Sequence, residues 1–157
     1  MIEKIRLAIL AGERDTLVFL PGVYEINQVH SALLKENWAR AFDILPLHGR
    51  LDLKEQQRAL KSSDQRKIIL STNVAESSVT VDGLDTVVDS GLERSTQFQM
   101  QSGFSKLATH RISLASATQR AGRAARQFPG HCYKLWSLHD EKSFAGFNLP
   151  EVKTQDL

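Results

Sequence analysis

Between positions 119 and 126 the chain reads Gln-Arg-Ala-Gly-Arg-Ala-Ala-Arg, three guanidiniums and an amide within eight residues. In a helix, positions i, i+4 and i+7 share a face, so Gln119, Arg123 and Arg126 would project together while Arg120 points about 100° away. Two guanidiniums that stay charged at any working pH, with a neutral amide beside them, suit the oxygens of a phosphate chain. They also suit the charge that develops there during phosphoryl transfer. The competing reading is an ordinary solvated face, which more often carries acids among its bases; none is close by here.

Charge along the chain points the same way. From Arg94 to His139 there are seven Lys or Arg (Arg94, Lys106, Arg111, Arg120, Arg123, Arg126 and Lys134) and no Asp or Glu, although the net charge of the whole chain is only +2. Such segregation implies a polyanionic partner on that side, nucleic acid or nucleotide. Chance clustering on a solvated surface is the alternative. A length of 157 residues suits one well-packed core and is short for two domains. No apolar run approaches a membrane span, and residues 1–6 lack the apolar core and cleavage site of a secretory signal. The lone Cys132 excludes an intramolecular disulfide and any multi-cysteine metal site. These features lead us to expect a cytoplasmic chain with no membrane partner.

The elements that must position the arginines read as alternating strands and helices. Thr16–Leu20 is a continuous apolar run closed by Pro21-Gly22, which implies a strand buried on both faces and then a turn. Helical spacing of Ile26, Val29, His30, Leu33 and Leu34 follows, through Asn37. A second run, Phe42 to Leu47, leads into His48-Gly49-Arg50, and Asp52 with Glu55 forms an acidic capping box opening a helix to about Ser62. A third, Lys67–Ser71, precedes Thr72-Asn73, and a fourth, Thr86–Asp89, ends at Ser90-Gly91. This order predicts a parallel, doubly wound α/β sheet with right-handed crossovers, whose ligands gather at the carboxyl ends of the strands. Pro21-Gly22, His48-Gly49-Arg50, Thr72-Asn73 and Ser90-Gly91 are the binding loops that this rule selects. A β-hairpin at about 93–110 is expected to protrude from the body. The arginine helix then runs to near Arg126 and a last strand covers His131–Trp136.

Gln119–Arg126 resembles the sixth motif of superfamily 2 helicases, Q-R-x-G-R-x-G-R, departing from it only at Ala125, where the family has glycine. Residues 71–83, Ser-Thr-Asn-Val-Ala-Glu-Ser-Ser-Val-Thr-Val-Asp-Gly, closely resemble the fifth motif of DEAH-box RNA helicases. With Leu17–Gly22 as the fourth motif and Leu47-His48-Gly49 after it, the match spans nearly the whole chain, nearest the bacterial HrpB type. The resemblance implies a second RecA-like domain, a three-layer α/β/α fold with a mostly parallel sheet plus the hairpin, over residues 1–146. Residues 147–157 would begin a linker to a following domain.

The same resemblance implies roles. Arg123 and Arg126 would be fingers on ATP phosphates, and Gln119 would position the attacking water or the γ-phosphate. Asp82 would accept from a ribose hydroxyl and Ser78 would sense the γ-phosphate. Thr72 and Asn73, helped by Gly22 and the His48-Gly49 turn, would hold the backbone of single-stranded RNA without reading bases. Glu76 reads as a plain N-terminal helix or loop acid. The hairpin turn, Met100-Gln-Ser-Gly103, departs from the D-P-x-x-G of many members, so a strand-separating role is less well supported than the nucleotide contacts.

No G-x-x-x-x-G-K-[ST] loop and no D-E-x-H box occurs. ATP with Mg2+ would therefore be shared with an absent first RecA-like domain that carries the metal ligands, and the isolated chain would be inactive. The alternatives are a nucleic-acid-binding or regulatory module without motor activity, and a DNA translocase domain.

Overall fold

The computed structural model describes residues 1–146, the Gln97 side chain excepted; the expected linker at 147–157 lies outside the described residues. Five strands, β1 (Asp15–Phe19), β2 (Asp43–Leu47), β3 (Lys67–Ser71), β4 (Leu84–Asp89) and β7 (His131–Lys134), form one wholly parallel sheet in the order β2-β3-β1-β4-β7. Alternate residues of each strand feed opposite faces. Val18, Leu20, Ile68, Leu70 and Val88 pack with Ile5, Ala8 and Ile9 of α1 (Ile2–Ala11) and with Ile26 and Leu33 of α2 (Val23–Leu34). Leu17, Phe19, Ile69 and Val87 pack on the other side with Ala59 of α3 (Leu53–Leu60), Ala75 of α4 (Val74–Ser77), and Ala124 just beyond α5 (Leu114–Gly122). The result is the expected three-layer α/β/α arrangement.

The capping box opening α3 is present: Asp52 accepts the Glu55 N–H at 2.8 Å, and the Asp52 N–H is returned to the Glu55 carboxylate. The hairpin is also there, as β5 (Leu92–Gln99) paired antiparallel to β6 (Phe104–Arg111) in a sheet of its own. Its turn closes on Gly103 at φ +70°.

Helix α1 is not anticipated by the sequence reading. Its apolar face is blurred by Leu7 and Leu10, which are apolar yet 51% and 72% exposed. A larger difference concerns α5, which ends at Gly122 instead of near Arg126. Glycine is a poor helix former, and the next N–H groups, of Arg123 and Ala124, bond to the carbonyls of Arg120 and Ala121, three residues back. Ala124 is thereby turned into the core. Arg123 keeps helical backbone as the residue capping α5, one turn on from Gln119, but Arg126 lies past the helix, so the three do not make one helical face.

Ser90-Gly91 is not an open binding loop either. Gly91 holds φ +75°, and a Cβ there would meet Trp136 at 2.6 Å; its N–H donates to Asp89 and its carbonyl accepts from Ile112. We expect Gly91→Ala to lower stability by about 2 kcal/mol or more, from the positive φ and the Trp136 overlap together, as read from denaturant midpoints of the isolated chain.

Cys132 on β7 is half-buried, and burial, with the Asp89 carboxylate behind it, pushes its thiol up to about 11. At pH 8 its alkylation by iodoacetamide is expected to run about a hundredfold slower than that of an ordinary thiol, because so little is thiolate. A rate like that of free cysteine would mean that the β7 edge opens in solution.

Candidate nucleotide and nucleic-acid site

The carboxyl ends of β1, β2 and β3 finish level, since Phe19 and Leu47 are both in register with Ser71. Backbone bonds extend the ladder past them: Leu20 N–H reaches Ser71 O at 2.8 Å and Thr72 N–H reaches Leu47 O at 3.3 Å. Three loops therefore leave the sheet side by side, carrying Gly22, His48-Gly49 and Thr72-Asn73. The ring of His48 is buried, and its Nδ1 accepts the Arg50 N–H at 3.2 Å, which places the ring proton on Nε2. Burial, then the Arg50 charge, lowers its pKa, so His48 is neutral at pH 7. A Cβ at Gly49 would meet nothing within 4 Å, so backbone is open to approach there. Thr72 is half-buried and Asn73 exposed, at the head of α4.

Gly22 is different. A Cβ there would come within 2.2 Å of Arg94 Nη1. Arg94, on β5, bonds Glu25 at 2.5 Å and Thr109 at 3.1 Å. The root of the hairpin thus covers this loop, and at Gly22 the surface offers the Arg94 guanidinium. Nothing in the sequence pointed to it, because the two residues are separated by nearly half of the chain.

The residues expected around a nucleotide lie along the opposite stretch of α4 and beyond α5. Arg123 is half-buried and donates from Nε and Nη2 to the Glu76 carbonyl, at 2.9 and 2.5 Å, leaving Nη1 without a partner among the described residues. Arg126 is exposed, with Nη1 3.9 Å from Asp82. Asp82 also accepts from Gln127 at 3.2 Å, and Gln127 accepts the Gly83 N–H at 2.8 Å. Asp82 and Arg126 are therefore together; Ser78, at the end of α4, and Gln119, near the end of α5, are both exposed nearby in sequence to Asp82 and Arg123. Asp82, Arg126 and Gln127 sit beside the start of β4, whereas Gln119 and Arg123 flank Arg120, which reaches Asp89 at the carboxyl end of the same strand.

Glu76 is no plain loop acid. It is buried, and its carboxylate takes Arg120 Nε at 3.0 Å and Ser116 Oγ at 3.2 Å. Arg120 is itself fully buried, bonds Asp89 at 2.9 Å and the Leu92 carbonyl at 3.2 Å, and lies 4.7 Å from the Phe19 ring centroid. Burial outweighs the attraction of Arg120 and the Gly91 N–H and raises the Asp89 pKa above the ordinary carboxylate value. The acid-free stretch 94–139 is likewise not a free basic surface. Arg94, Arg111, Arg120, Arg126 and Lys134 each lie within 4 Å of an acid, and every one of those acids comes from outside that stretch. Sequence separation hid this neutralisation, although an acid ending the apolar run of β4 is a cue that Asp89 has a buried partner.

A parallel sheet flanked by helices, with an arginine-bearing turn beside one strand and level loops at the strand ends, is a RecA-like α/β domain. The model of the helicase conserved C-terminal domain matches residues 2–127, and the chain belongs to that family. Among its relatives, the probable ATP-dependent RNA helicase DHX34 of Mus musculus is 41% identical over 146 residues, covering 88% of this chain and 12% of the relative. The ATP-dependent RNA helicase HrpB of Escherichia coli is 40% identical over 143 residues, covering 90% and 18%. The crystal structure of the Escherichia coli DExH-box NTPase HrpB superposes with a TM-score of 0.88 at 35% identity, covering 96% of this chain and 19% of that one. The chain thus spans less than a fifth of the length of these relatives. Among the described residues no helix is long and apolar enough to cross a membrane.

Proposed function

We propose that this chain works as the second RecA-like half of an ATP-dependent RNA helicase motor. The observation that carries the reading is α4. Thr72 and Asn73 stand at its head, Ser78 at its foot, and the Glu76 carbonyl between them seats Arg123. One turn of helix would then connect a backbone-gripping loop with a phosphate-facing arginine.

The donor set fits a nucleoside triphosphate. Arg123 Nη1 and the exposed Arg126 are cations suited to phosphate oxygens, Gln119 and Ser78 are neutral hydrogen-bonding groups, and Asp82 is an acceptor for a ribose hydroxyl. ATP, when bound, supplies the phosphoryl group whose transfer to water drives the cycle. Arg123 and Arg126 neutralise charge on it, Gln119 orients the water, and Asp82 exchanges Arg126 and Gln127 for the ribose. The phosphate loop and the Mg2+ ligands come from a first RecA-like domain, since the sequence has no G-x-x-x-x-G-K-[ST] segment. Residues 1–146 would be the domain proper, followed by a link to further C-terminal domains. Contacts that exist only with triphosphate present favour a closed pair of domains, and their loss on hydrolysis reopens it.

Thr72, Asn73, the open Gly49 backbone and Arg94 above Gly22 would grip the single strand through phosphates, so binding should be sequence-tolerant and weaken with salt. Single-stranded RNA is the proposed track, with DNA the alternative. A reducing, cytoplasmic setting suits a chain with one cysteine. The test is phosphate release from ATP, with and without single-stranded RNA, by this chain alone and combined with a matching phosphate-loop domain. Silence alone and RNA-stimulated release on combination is the expected result. Salt-sensitive RNA binding with no response to nucleotide in the combined sample would instead establish a binding module.

A further inference from the structure

Arg123 caps the end of α5, where the backbone sets the start of its long side chain but not the placement of the guanidinium at its far end. What holds the guanidinium is one carbonyl, that of Glu76, which accepts both Nε and Nη2. The same residue is fixed from the inside by its side chain: Arg120 Nε takes one carboxylate oxygen and Ser116 Oγ takes the other. Arg120 in turn is pinned to Asp89 and to the Leu92 carbonyl, at the end of β4 and the start of the hairpin. Glu76 is therefore clamped at its carboxylate by the buried face of α5 and offers its carbonyl to the first arginine after α5.

We propose that Glu76 and Arg120 are positioning residues that aim Arg123: the buried carboxylate–guanidinium pair fixes the Glu76 peptide, and that peptide fixes the finger. This rests on the reading of Arg123 as the phosphate-facing residue. Neither positioning residue touches the reacting atoms. Misplacing a catalytic group by about 1 Å can cost on the order of a hundredfold in rate, so a loosened carbonyl is enough to show in turnover.

The test is a double-mutant cycle in this chain combined with its phosphate-loop domain, following kcat and KM for ATP. Glu76→Ala removes the clamp but keeps the carbonyl; kcat should fall about tenfold or more, with KM within about twofold. Glu76→Gln, which still offers Arg120 an acceptor, should recover most of the loss. In an Arg123→Ala background Glu76→Ala should cost less than about twofold, because nothing remains to aim. Titration with ADP–aluminium fluoride against ADP alone gives a readout apart from turnover: the preference for the fluoride complex should fall in step with kcat. Ser116→Ala, a milder cut of the same clamp, carries the cycle should Glu76→Ala not fold, with a few-fold loss in kcat that vanishes in the Arg123→Ala background. Losses that multiply with Arg123→Ala, or a lowered melting point with kcat and analogue preference unchanged, would overturn the relay and reduce the pair to a structural brace. A wild-type pair indifferent to Arg123→Ala would instead overturn the reading of function on which the relay rests.

Discussion

Arg123→Ala, in this chain combined with a phosphate-loop domain, is expected to lower kcat for ATP at least about a hundredfold while RNA binding by the isolated chain stays within about twofold. The scale is that of a lost arginine finger or a lost oxyanion donor, which cost 10²-fold or more because their contacts strengthen as charge develops in the transition state. Arg123 makes no bond to a side chain among the described residues; its hydrogen bonds go to one backbone carbonyl. Removing it leaves no buried charge behind, so the fold should survive and the loss can be read as chemistry. Arg123→Lys should not rescue, since an ammonium cannot span the carbonyl and a phosphate oxygen as the planar guanidinium does. Steady-state kinetics on the combined domains, with the melting point of each variant as a control, decides it; unchanged kcat would sink the finger assignment.

Arg120→Leu is expected to have the largest effect on stability, about 3–5 kcal/mol, the cost of leaving a buried charge unpaired. Both carboxylates it faces are buried, Asp89 wholly and Glu76 to within 9% exposure. For a domain of this size the melting point should fall by on the order of 10 °C. The deficit should depend on pH in a defined direction. Asp89 already has its pKa raised by burial in the intact protein, and losing Arg120 raises it further. A group that binds its proton more tightly in the folded state than in the unfolded chain favours folding at low pH. That advantage is lost as pH rises from the unfolded to the folded pKa. The gap between wild type and Arg120→Leu should therefore be narrower at pH 5 than at pH 8 in calorimetric melts. A constant gap would mean that lost packing against Phe19, and not unpaired charge, is the cause.

The fold was legible because its determinants are local. Apolar runs at 16–20, 42–47, 67–71 and 86–89 are long enough to be strands buried on both faces, and the spacing between them leaves room only for crossovers. Asp52 and Glu55 announced their capping box three residues apart. The level loops at the strand ends followed from parallel topology. What the sequence could not disclose is pairing at a distance: Glu76 with Arg120 across 44 positions, Arg94 with Glu25 across 69. A guanidinium at position 120 looks the same in sequence as one at 123 or 126, yet one is entombed, one is seated on a carbonyl and one is at the surface. The helix boundary misled for a related reason. Gly122 and Ala124 fit the helical period, but the hydrogen bonds tighten to three residues at Arg123 and Ala124, and Ala124 is buried.

The hairpin is joined to the body only at one end, and each strand of eight residues spans about 26 Å. It is a lever with a short root. Tilting it by about 5° moves the tip roughly 2 Å, more than half the rise per residue of the strand itself. Aim at the far end is therefore decided at the fulcrum, where Arg94 is wedged against Glu25 over a glycine that leaves it room.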